Sequence, residues 1–230
     1  MTPSASDGFR AESDRIWQGL REHPFITELA VGSLPIDKFR FFLEQDIFYL
    51  EWYARCLAMG AAKSRNEHEL RYFTTDLNQV LDAELPSNRA LLERVTGMGA
   101  ADHGGAVAMA PANVAYTSYM QSLALRGGPL EIMASLLPCA WSYVEIATGL
   151  KENTDISHPV YGDWVGYFST PSTVEMVEDM RRDFDALVAH EVTTETRHRE
   201  ISTIFATSSR LEHGFWEMAY TIQQWPDLLT

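Results

Sequence analysis

Cysteine is scarce in this sequence: Cys56 and Cys139 are the two cysteines among 230 residues. They form no CxxC pair, and two cysteines are too few for the dense disulfide framework of a small secreted domain. We therefore expect free thiols in a reducing cytosol.

Basic residues are also few. The 18 Lys and Arg residues are outnumbered by 32 Asp and Glu residues, which leaves a net charge of −14. A chain of this charge repels phosphate backbones and anionic membranes. Nucleic acids and membrane surfaces are therefore excluded as expected partners.

Long apolar segments are missing as well. The start, MTPSASDGFRAESDRIW, lacks the basic flank and the apolar stretch of a signal peptide, and no uninterrupted run approaches the ~20 apolar residues that cross a bilayer. These absences predict a cytoplasmic protein. Because 46% of the residues are hydrophobic, the chain can bury one substantial core, and we expect a single domain over residues 1–230.

Strand patterns are nearly absent, since alternation is rare and no Asn-Gly hairpin lies between apolar runs. Helical periodicity dominates, and the predicted fold class is all-α. Proline at a first turn and glycine at a cap mark several helix ends. The predicted helices cover residues 7–22, 24–32, 35–59, 65–95, 112–126, 129–150, 159–168, 172–190 and 193–222.

The helix after Pro35 carries an apolar stripe at three- and four-residue spacing, and Asp46 lies inside this stripe. A carboxylate on a buried face loses its hydration, which is costly unless the group is paired or hydrogen-bonded. Asp46 is therefore a candidate functional residue. The alternative is that Asp46 only ties helices together through tyrosine hydroxyls or backbone groups.

The segment LLPCAWSY puts Cys139 directly after Pro138 on the inward face of another predicted helix. Tyr143 follows Cys139 by four residues, about 40° around the helix axis, so the two side chains project together. Pro138 lacks a backbone N–H and clashes with the helix one turn back, which can bend the helix or free a carbonyl and so make room for a ligand. The alternative is that Cys139 packs as a small hydrophobic side chain.

Glu212 is a second acid on an apolar face, that of the last helix. A thiol, two inward carboxyl groups and several tyrosines favour a shared polar pocket within a helical bundle. These groups suffice for covalent catalysis on a small molecule, and the flat tyrosine rings suit a planar, nitrogen-bearing ring.

Six motifs, in order along nearly the whole chain, resemble the TenA/thiaminase II family. They are HPF, GSLP, FRFFLEQDIFYLEWYAR, NVAYTSYM, LPCAWSYVEIA and LEHGFWEMAY. The resemblance implies a heme-oxygenase-like helical fold, a homotetramer, and no metal or organic cofactor. It also implies hydrolysis of thiamin, or of its aminomethyl pyrimidine breakdown products, to hydroxymethylpyrimidine for thiamin salvage.

The resemblance also implies residue roles. Cys139 is similar to the family's nucleophile, which adds to the aminopyrimidine ring, and its presence puts the chain in the cysteine-containing group. Tyr49 would activate the thiol by hydrogen bonding, Asp46 would bind the ring's amino group and a ring nitrogen, and Glu212 would donate and accept protons. The remaining expected pocket residues are Tyr116, Tyr143, Tyr167, Trp141 and Phe42. The Gly/Ala-rich loop at 97–113 is unfamiliar for the family and is expected to affect access or substrate choice.

Three alternatives compete with this hypothesis. A heme protein needs an early axial histidine, and His23 is the candidate, although it is better explained by a helix-entry turn before Pro24. A two-metal site uses two Glu-x-x-His pairs, and the pair formed by Glu195 and His198 lies in a polar run typical of a solvated face. The third alternative is a non-catalytic protein that binds or senses a pyrimidine in the same pocket.

Overall fold

The computed structural model describes residues 4–98, 108–153 and 156–226, and no strand occurs in these three ranges. Eleven α-helices and one π-helical segment, Val80–Glu84, make up the described fold. The helices are α1 Ala5–Glu12, α2 Asp14–Arg21, α3 Pro24–Ala30, α4 Ile36–Lys63, α5 Glu67–Gln79, α6 Leu85–Gly97, α7 Pro111–Arg126, α8 Pro129–Asn153, α9 Pro159–Phe168, α10 Pro171–Glu191 and α11 Glu195–Thr221.

The all-α prediction is confirmed, and two predicted helices are interrupted. The helix expected at 7–22 divides at Ser13, whose backbone leaves helical geometry at φ −102° and ψ 7°. This break directs Phe9 against Phe184 and Trp17 against Trp141, with ring centroids 5.6 Å and 5.2 Å apart. The helix expected at 65–95 is interrupted by the π-helical segment, which inserts one residue into the ladder of backbone hydrogen bonds.

Local capping chemistry explains several helix boundaries. His23 precedes α3, and its Nδ1 accepts a hydrogen bond of 3.1 Å from the Phe25 amide. This is the helix-entry role expected from the sequence. Gly32 takes a positive φ of 72° just after α3, a backbone conformation that glycine adopts at little cost.

Helices α4 and α8 form the centre of the bundle. Helix α4 packs against α5, α6, α7 and α11, whereas α8 packs against α7, α9, α10 and α11. Because α11 contacts both central helices, the inward faces of α4, α8 and α11 enclose one buried region. This arrangement brings the stripes that carry Asp46, Cys139 and Glu212 toward each other.

Helix α8 qualifies the expectation that no segment approaches a membrane-spanning length. Within the described ranges it alone, over Pro129–Glu152, is long and apolar enough by length and composition to cross a bilayer. However, 83% of its most apolar window is buried inside the protein, as in the core helix of a bundle. Helical structure also continues through Pro138, which leaves the Ala134 carbonyl without the backbone N–H donor of a regular helix.

Candidate active site

Cys139 lies on the inward face of α8 and borders a pocket. Its side chain is surrounded by protein but is partly accessible from that pocket. Burial raises the pKa of the Cys139 thiol well above its ordinary value, and the charge of Glu212 raises it further, while the nearby Tyr49 hydroxyl opposes the shift. The resting thiol is therefore protonated and needs a base to become a nucleophile.

Glu212 supplies a carboxyl group beside this thiol. The side chain is 1% exposed, and its Oε2 accepts a hydrogen bond of 2.9 Å from the Tyr116 hydroxyl. Burial raises the pKa of Glu212 to about 8, although hydrogen bonds with Tyr116, Cys139 and Tyr143 pull it down. A group with this pKa exists in both protonation states near neutral pH, which suits a residue that donates and accepts protons.

Asp46 is the second buried carboxyl group, at 3% exposure. Its Oδ2 accepts a hydrogen bond of 2.6 Å from Nδ2 of Asn88 on α6. Burial raises the pKa of Asp46 to about 7, and the Asn88 hydrogen bond limits that rise. The charge of Asp46 raises the pKa values of both Glu212 and Cys139, so the three groups form one electrostatic cluster.

Tyrosines surround the cluster. Among the residues that the structure describes, the buried hydroxyl of Tyr49 finds no hydrogen bond of good geometry, yet its proximity lowers the pKa values of both Cys139 and Tyr116. The Tyr49 ring lies 4.9 Å from the Tyr116 ring, and Tyr143 stacks on Trp216 at 5.0 Å. The site therefore combines flat aromatic walls with hydroxyl donors.

A sequence model described as the TENA/THI-4/PQQC family matches residues 10–222 of the chain. The geometry of the cysteine, carboxyl and tyrosine groups agrees with this match. The chain belongs to this family.

Curated relatives in this family span nearly the whole chain. The chain is 36% identical over 211 residues to an aminopyrimidine aminohydrolase of Halalkalibacterium halodurans, a match that covers 91% of this chain and 92% of the relative. It is 31% identical over 222 residues to an aminopyrimidine aminohydrolase of Bacillus subtilis, with 96% and 92% of the two chains covered. A solved TenA homologue from P. horikoshii OT3 superposes with a TM-score of 0.80 at 28% identity and covers 95% of this chain and 99% of that one.

The pocket beside Cys139 is narrow, since about 40 Å³ of it admits the centre of a water-sized sphere. Of the residues expected from the family resemblance, three line this pocket: Cys139, Tyr143 and Tyr167. Asp46, Tyr49, Tyr116 and Glu212 do not border its open space and are packed into the buried cluster beside Cys139 and Tyr143. The described site thus has a tightly packed inner part and an open outer part.

Phe42 and Trp141 do not border the open pocket. Phe42 is fully buried, and its ring lies 5.4 Å from Trp216 and 6.5 Å from Tyr143, behind the tyrosine wall. Trp141 instead packs between Trp17, at 5.2 Å, and the Arg181 guanidinium, at 4.1 Å. The expectation that Trp141 lines the substrate site stays a prediction; in this structure two residues along the helix rotate Trp141 by about 200° from Cys139.

Two residues of the site are not predicted from the sequence. Asn88 gives no local sign of its contact with Asp46, since the partner is 42 residues away. Glu84 ends the π-helical segment and lines the pocket near Cys139. Burial raises the pKa of Glu84 to about 8, with a smaller contribution from the charge of Asp46. The sequence contains one indication of this region: Pro86 interrupts an otherwise continuous helical pattern, and irregular helical turns often occur at functional sites.

The residues of the competing hypotheses have other structural roles. Both ring nitrogens of His23 are engaged, with the Phe25 amide at 3.1 Å and with Glu217 at 3.2 Å. His198 pairs with Glu12 at 2.8 Å and stacks on Phe9 at 4.7 Å. No group of three or more His, Cys, Asp or Glu side chains able to hold a metal ion occurs in the part of the chain that the structure describes.

The loop at 97–113 falls largely outside the described residues. Its described end is held by Gln45, whose side chain bonds to the Ala108 carbonyl at 3.0 Å and to the Ala110 amide at 2.9 Å. Gln45 directly precedes Asp46, so this end of the loop is attached to the helix that carries the site.

Proposed function

We propose that this protein is a thiaminase II-type aminopyrimidine aminohydrolase. It would hydrolyse aminomethyl pyrimidine breakdown products of thiamin, or thiamin itself, to hydroxymethylpyrimidine for thiamin salvage. The printed names of the relatives from Halalkalibacterium halodurans and Bacillus subtilis support this assignment. The structural observation that carries it is the convergence of one pocket-facing thiol, Cys139, with the buried carboxyl groups of Glu212 and Asp46.

In the proposed reaction, the Cys139 sulfur bonds to a carbon of the pyrimidine ring while the thiol proton passes to the Glu212 carboxylate. A ring nitrogen takes up the displaced electron pair together with a proton from Asp46. The carbon–nitrogen bond to the ammonium substituent then breaks, its electron pair leaves with the nitrogen, and the released ammonia takes the proton held by Glu212 and departs as ammonium. Tyr49 hydrogen-bonds to the sulfur and stabilises its thiolate form before attack.

The second half of the proposed reaction restores the aromatic pyrimidine ring. Water adds to the exocyclic methylene carbon and gives one proton to Glu212, which forms the hydroxymethyl group. The carbon–sulfur bond then breaks, the ring nitrogen returns its proton to Asp46, and Glu212 returns its proton to the sulfur. The net change is one water consumed and one amine released, and every protein group regains its starting protonation state.

Product formation by the purified protein tests this proposal. We expect release of hydroxymethylpyrimidine and ammonia from aminomethyl pyrimidine, and comparison of kcat/KM with that for thiamin identifies the preferred substrate. A protein that binds hydroxymethylpyrimidine but turns over neither compound would instead be the non-catalytic pyrimidine-binding protein.

Further sequence-based expectations stay predictions: a single domain, a cytoplasmic location and a homotetramer. We propose the tetramer from the family resemblance. Light scattering on the protein as it elutes from a size-exclusion column tests the tetramer, and the expected mass is near four times 26.0 kDa.

A further inference from the structure

Glu84 is a half-buried acid, and its carboxyl group has no hydrogen-bonding partner among the described residues. It lies at the end of the π-helical segment and lines the pocket beside Cys139. Burial and, to a smaller extent, the charge of Asp46 raise its pKa, and neither stabilises a carboxylate. An acid that faces a pocket of low polarity without a donor or a counter-ion from the protein favours a partner that enters the pocket.

The wall around Glu84 is acidic. Asp76 lines the same pocket, and no Lys, Arg or His is among the described lining residues. Burial raises the pKa of Asp76 to about 7, and the Tyr72 hydroxyl only partly offsets the rise. Two acids without a basic residue favour a positively charged ligand.

The outer part of the pocket leads toward the surface. Asp76 and Met176 line both this pocket and a neighbouring groove. The groove carries the acids Glu175, Asp179 and Asp183 together with the bases His68, Arg71 and Arg182, and His68 pairs with Asp183 and Arg182 with Asp179. The charges of the groove are therefore mixed, and the uniformly acidic wall is confined to Glu84 and Asp76 beside Cys139. The buried cluster of Asp46, Glu212 and Tyr116 lies beside the open space without bordering it.

This division matches the two ends of the proposed substrate. If Asp46 and Glu212 hold the pyrimidine ring, the methylene substituent must extend from Cys139 into the open part of the pocket. The substituent is an ammonium group in aminomethyl pyrimidine and a thiazolium ring in thiamin, and both carry one positive charge.

We propose that Glu84, with Asp76 farther out, binds the positively charged leaving group of the substrate and makes the site selective for cationic substituents. This inference rests on the proposed function and deepens it. The cation takes the position of the proton that each carboxyl group otherwise retains in this low-dielectric pocket. Glu84 is thus a specificity-determining residue, in addition to the groups that act on the ring.

The chemistry predicts which kinetic constant Glu84 controls. As the carbon–nitrogen bond breaks, an ammonium becomes a neutral amine and a thiazolium becomes a neutral thiazole. The charge that Glu84 binds is therefore lost on the way to products. An interaction that is stronger with bound substrate than with the transition state affects KM and does not raise kcat.

A binding experiment tests the inference without turnover. In a Cys139→Ala background, calorimetry compares aminomethyl pyrimidine, which is cationic, with hydroxymethylpyrimidine, which is neutral. We expect Glu84→Gln to weaken binding of the amine by about tenfold or more and to change binding of the alcohol by less than about twofold. Asp82→Asn is the matched control, because Asp82 is an exposed acid on the same π-helical segment and its loss should affect neither ligand.

Kinetics of the otherwise intact enzyme provide the second measurement. Glu84→Gln should raise KM for aminomethyl pyrimidine by about tenfold while kcat stays within about threefold of wild type. Asp76→Asn should act in the same direction with a smaller effect.

Four outcomes overturn the inference. Equal weakening of the amine and the alcohol would mean that Glu84 only shapes the pocket, and a large loss of kcat would assign it to proton transfer. Amine binding that is unchanged relative to Asp82→Asn would remove Glu84 from recognition. A Cys139→Ala protein that retains Glu84 and binds neither pyrimidine, together with a wild-type protein that has no turnover, would overturn the proposed function as well.

Discussion

The Tyr116 hydroxyl donates a hydrogen bond of 2.9 Å to Oε2 of Glu212, and both side chains are buried. This bond joins α7 to α11 inside the bundle. It fixes one oxygen of the carboxyl group, whose pKa is also influenced by Cys139 and Tyr143.

Glu212→Gln tests the cost of this buried acid through the pH dependence of stability. Burial raises the pKa of Glu212 from 4.5 to about 8. Between these values the folded state retains a proton that the unfolded state releases, so the free energy of unfolding falls as pH rises through this window. Glutamine has no such proton. We expect the variant to gain stability relative to wild type by a few kcal/mol between about pH 5 and pH 8, as measured by urea unfolding.

The same variant should lose hydrolysis, because glutamine cannot transfer the proton. If its stability relative to wild type stayed constant across this pH range, the raised pKa would be refuted. A wild-type rate would refute the proton-transfer role.

Cys139→Ala should lower hydrolysis of aminomethyl pyrimidine by at least about a thousandfold, since the step that forms the carbon–sulfur bond is removed. Binding of hydroxymethylpyrimidine should remain measurable. Cys56→Ala is the matched control: Cys56 is 0% exposed and packs in the core, so this variant should lose some stability and keep its kcat. Unchanged turnover in Cys139→Ala would exclude the thiol from the mechanism.

Alkylation distinguishes the two thiols. Burial raises the pKa of Cys56 to about 12 in a packed core, whereas Cys139 borders the open pocket. We expect iodoacetamide to label Cys139 first, slowly because its pKa is also raised, and hydroxymethylpyrimidine to protect it. Mass spectrometry after digestion measures both sites, and equal labelling of the two would contradict the pocket geometry.

Asn88→Leu removes the donor to Asp46 while approximately preserving side-chain volume. Because the Asn88 hydrogen bond lowers the pKa of Asp46, its loss should move the ionisation of Asp46 above about pH 7. We expect KM for the pyrimidine to rise by about tenfold, and the pH at which KM changes to move upward. Asn78→Leu, the same change at an exposed position, should leave the profile unaltered. A KM profile identical to wild type would show that Asn88 does not position Asp46.

Trp141→Phe separates packing from catalysis. The indole contacts Trp17 and Arg181 outside the pocket, so its loss should cost about 1–2 kcal/mol of stability. The kcat should stay within about twofold of wild type. By contrast, Tyr143→Phe removes a hydroxyl that lowers the pKa of Glu212 and should shift the pH–rate profile. A large kcat loss in Trp141→Phe would restore Trp141 to the site.

Much of the fold is predictable because its determinants are local. Proline at first turns, Gly32 after α3 and the stripe around Asp46 each act within a few residues. The same periodicity predicts that Asp46, Cys139 and Glu212 point inward. The sequence alone therefore groups these three distant positions in one site.

The remaining features depend on geometry that periodicity does not contain. The partner of Asp46 is chosen by how α4 and α6 cross, and nothing near Asn88 in the sequence specifies that crossing. Trp141 shares a motif with Cys139 but not a helix face, so proximity in sequence does not by itself place the two side chains in one site. Glu84 depends on a helical irregularity that shifts every later side chain around the axis.

That irregularity has a consequence for how this site can change. One extra residue between α5 and α6 sets the rotation of α6 about its axis relative to α5. Asp76 lies before this residue and Asn88 lies after it. Deleting a single residue such as Ala83 would restore a regular helix and rotate everything downstream by about 100°, so that Glu84 and the Asn88 amide could not both keep their orientation. The position of Glu84 in the acidic wall and the support of Asp46 by Asn88 therefore depend on the same extra residue, and its removal disturbs both.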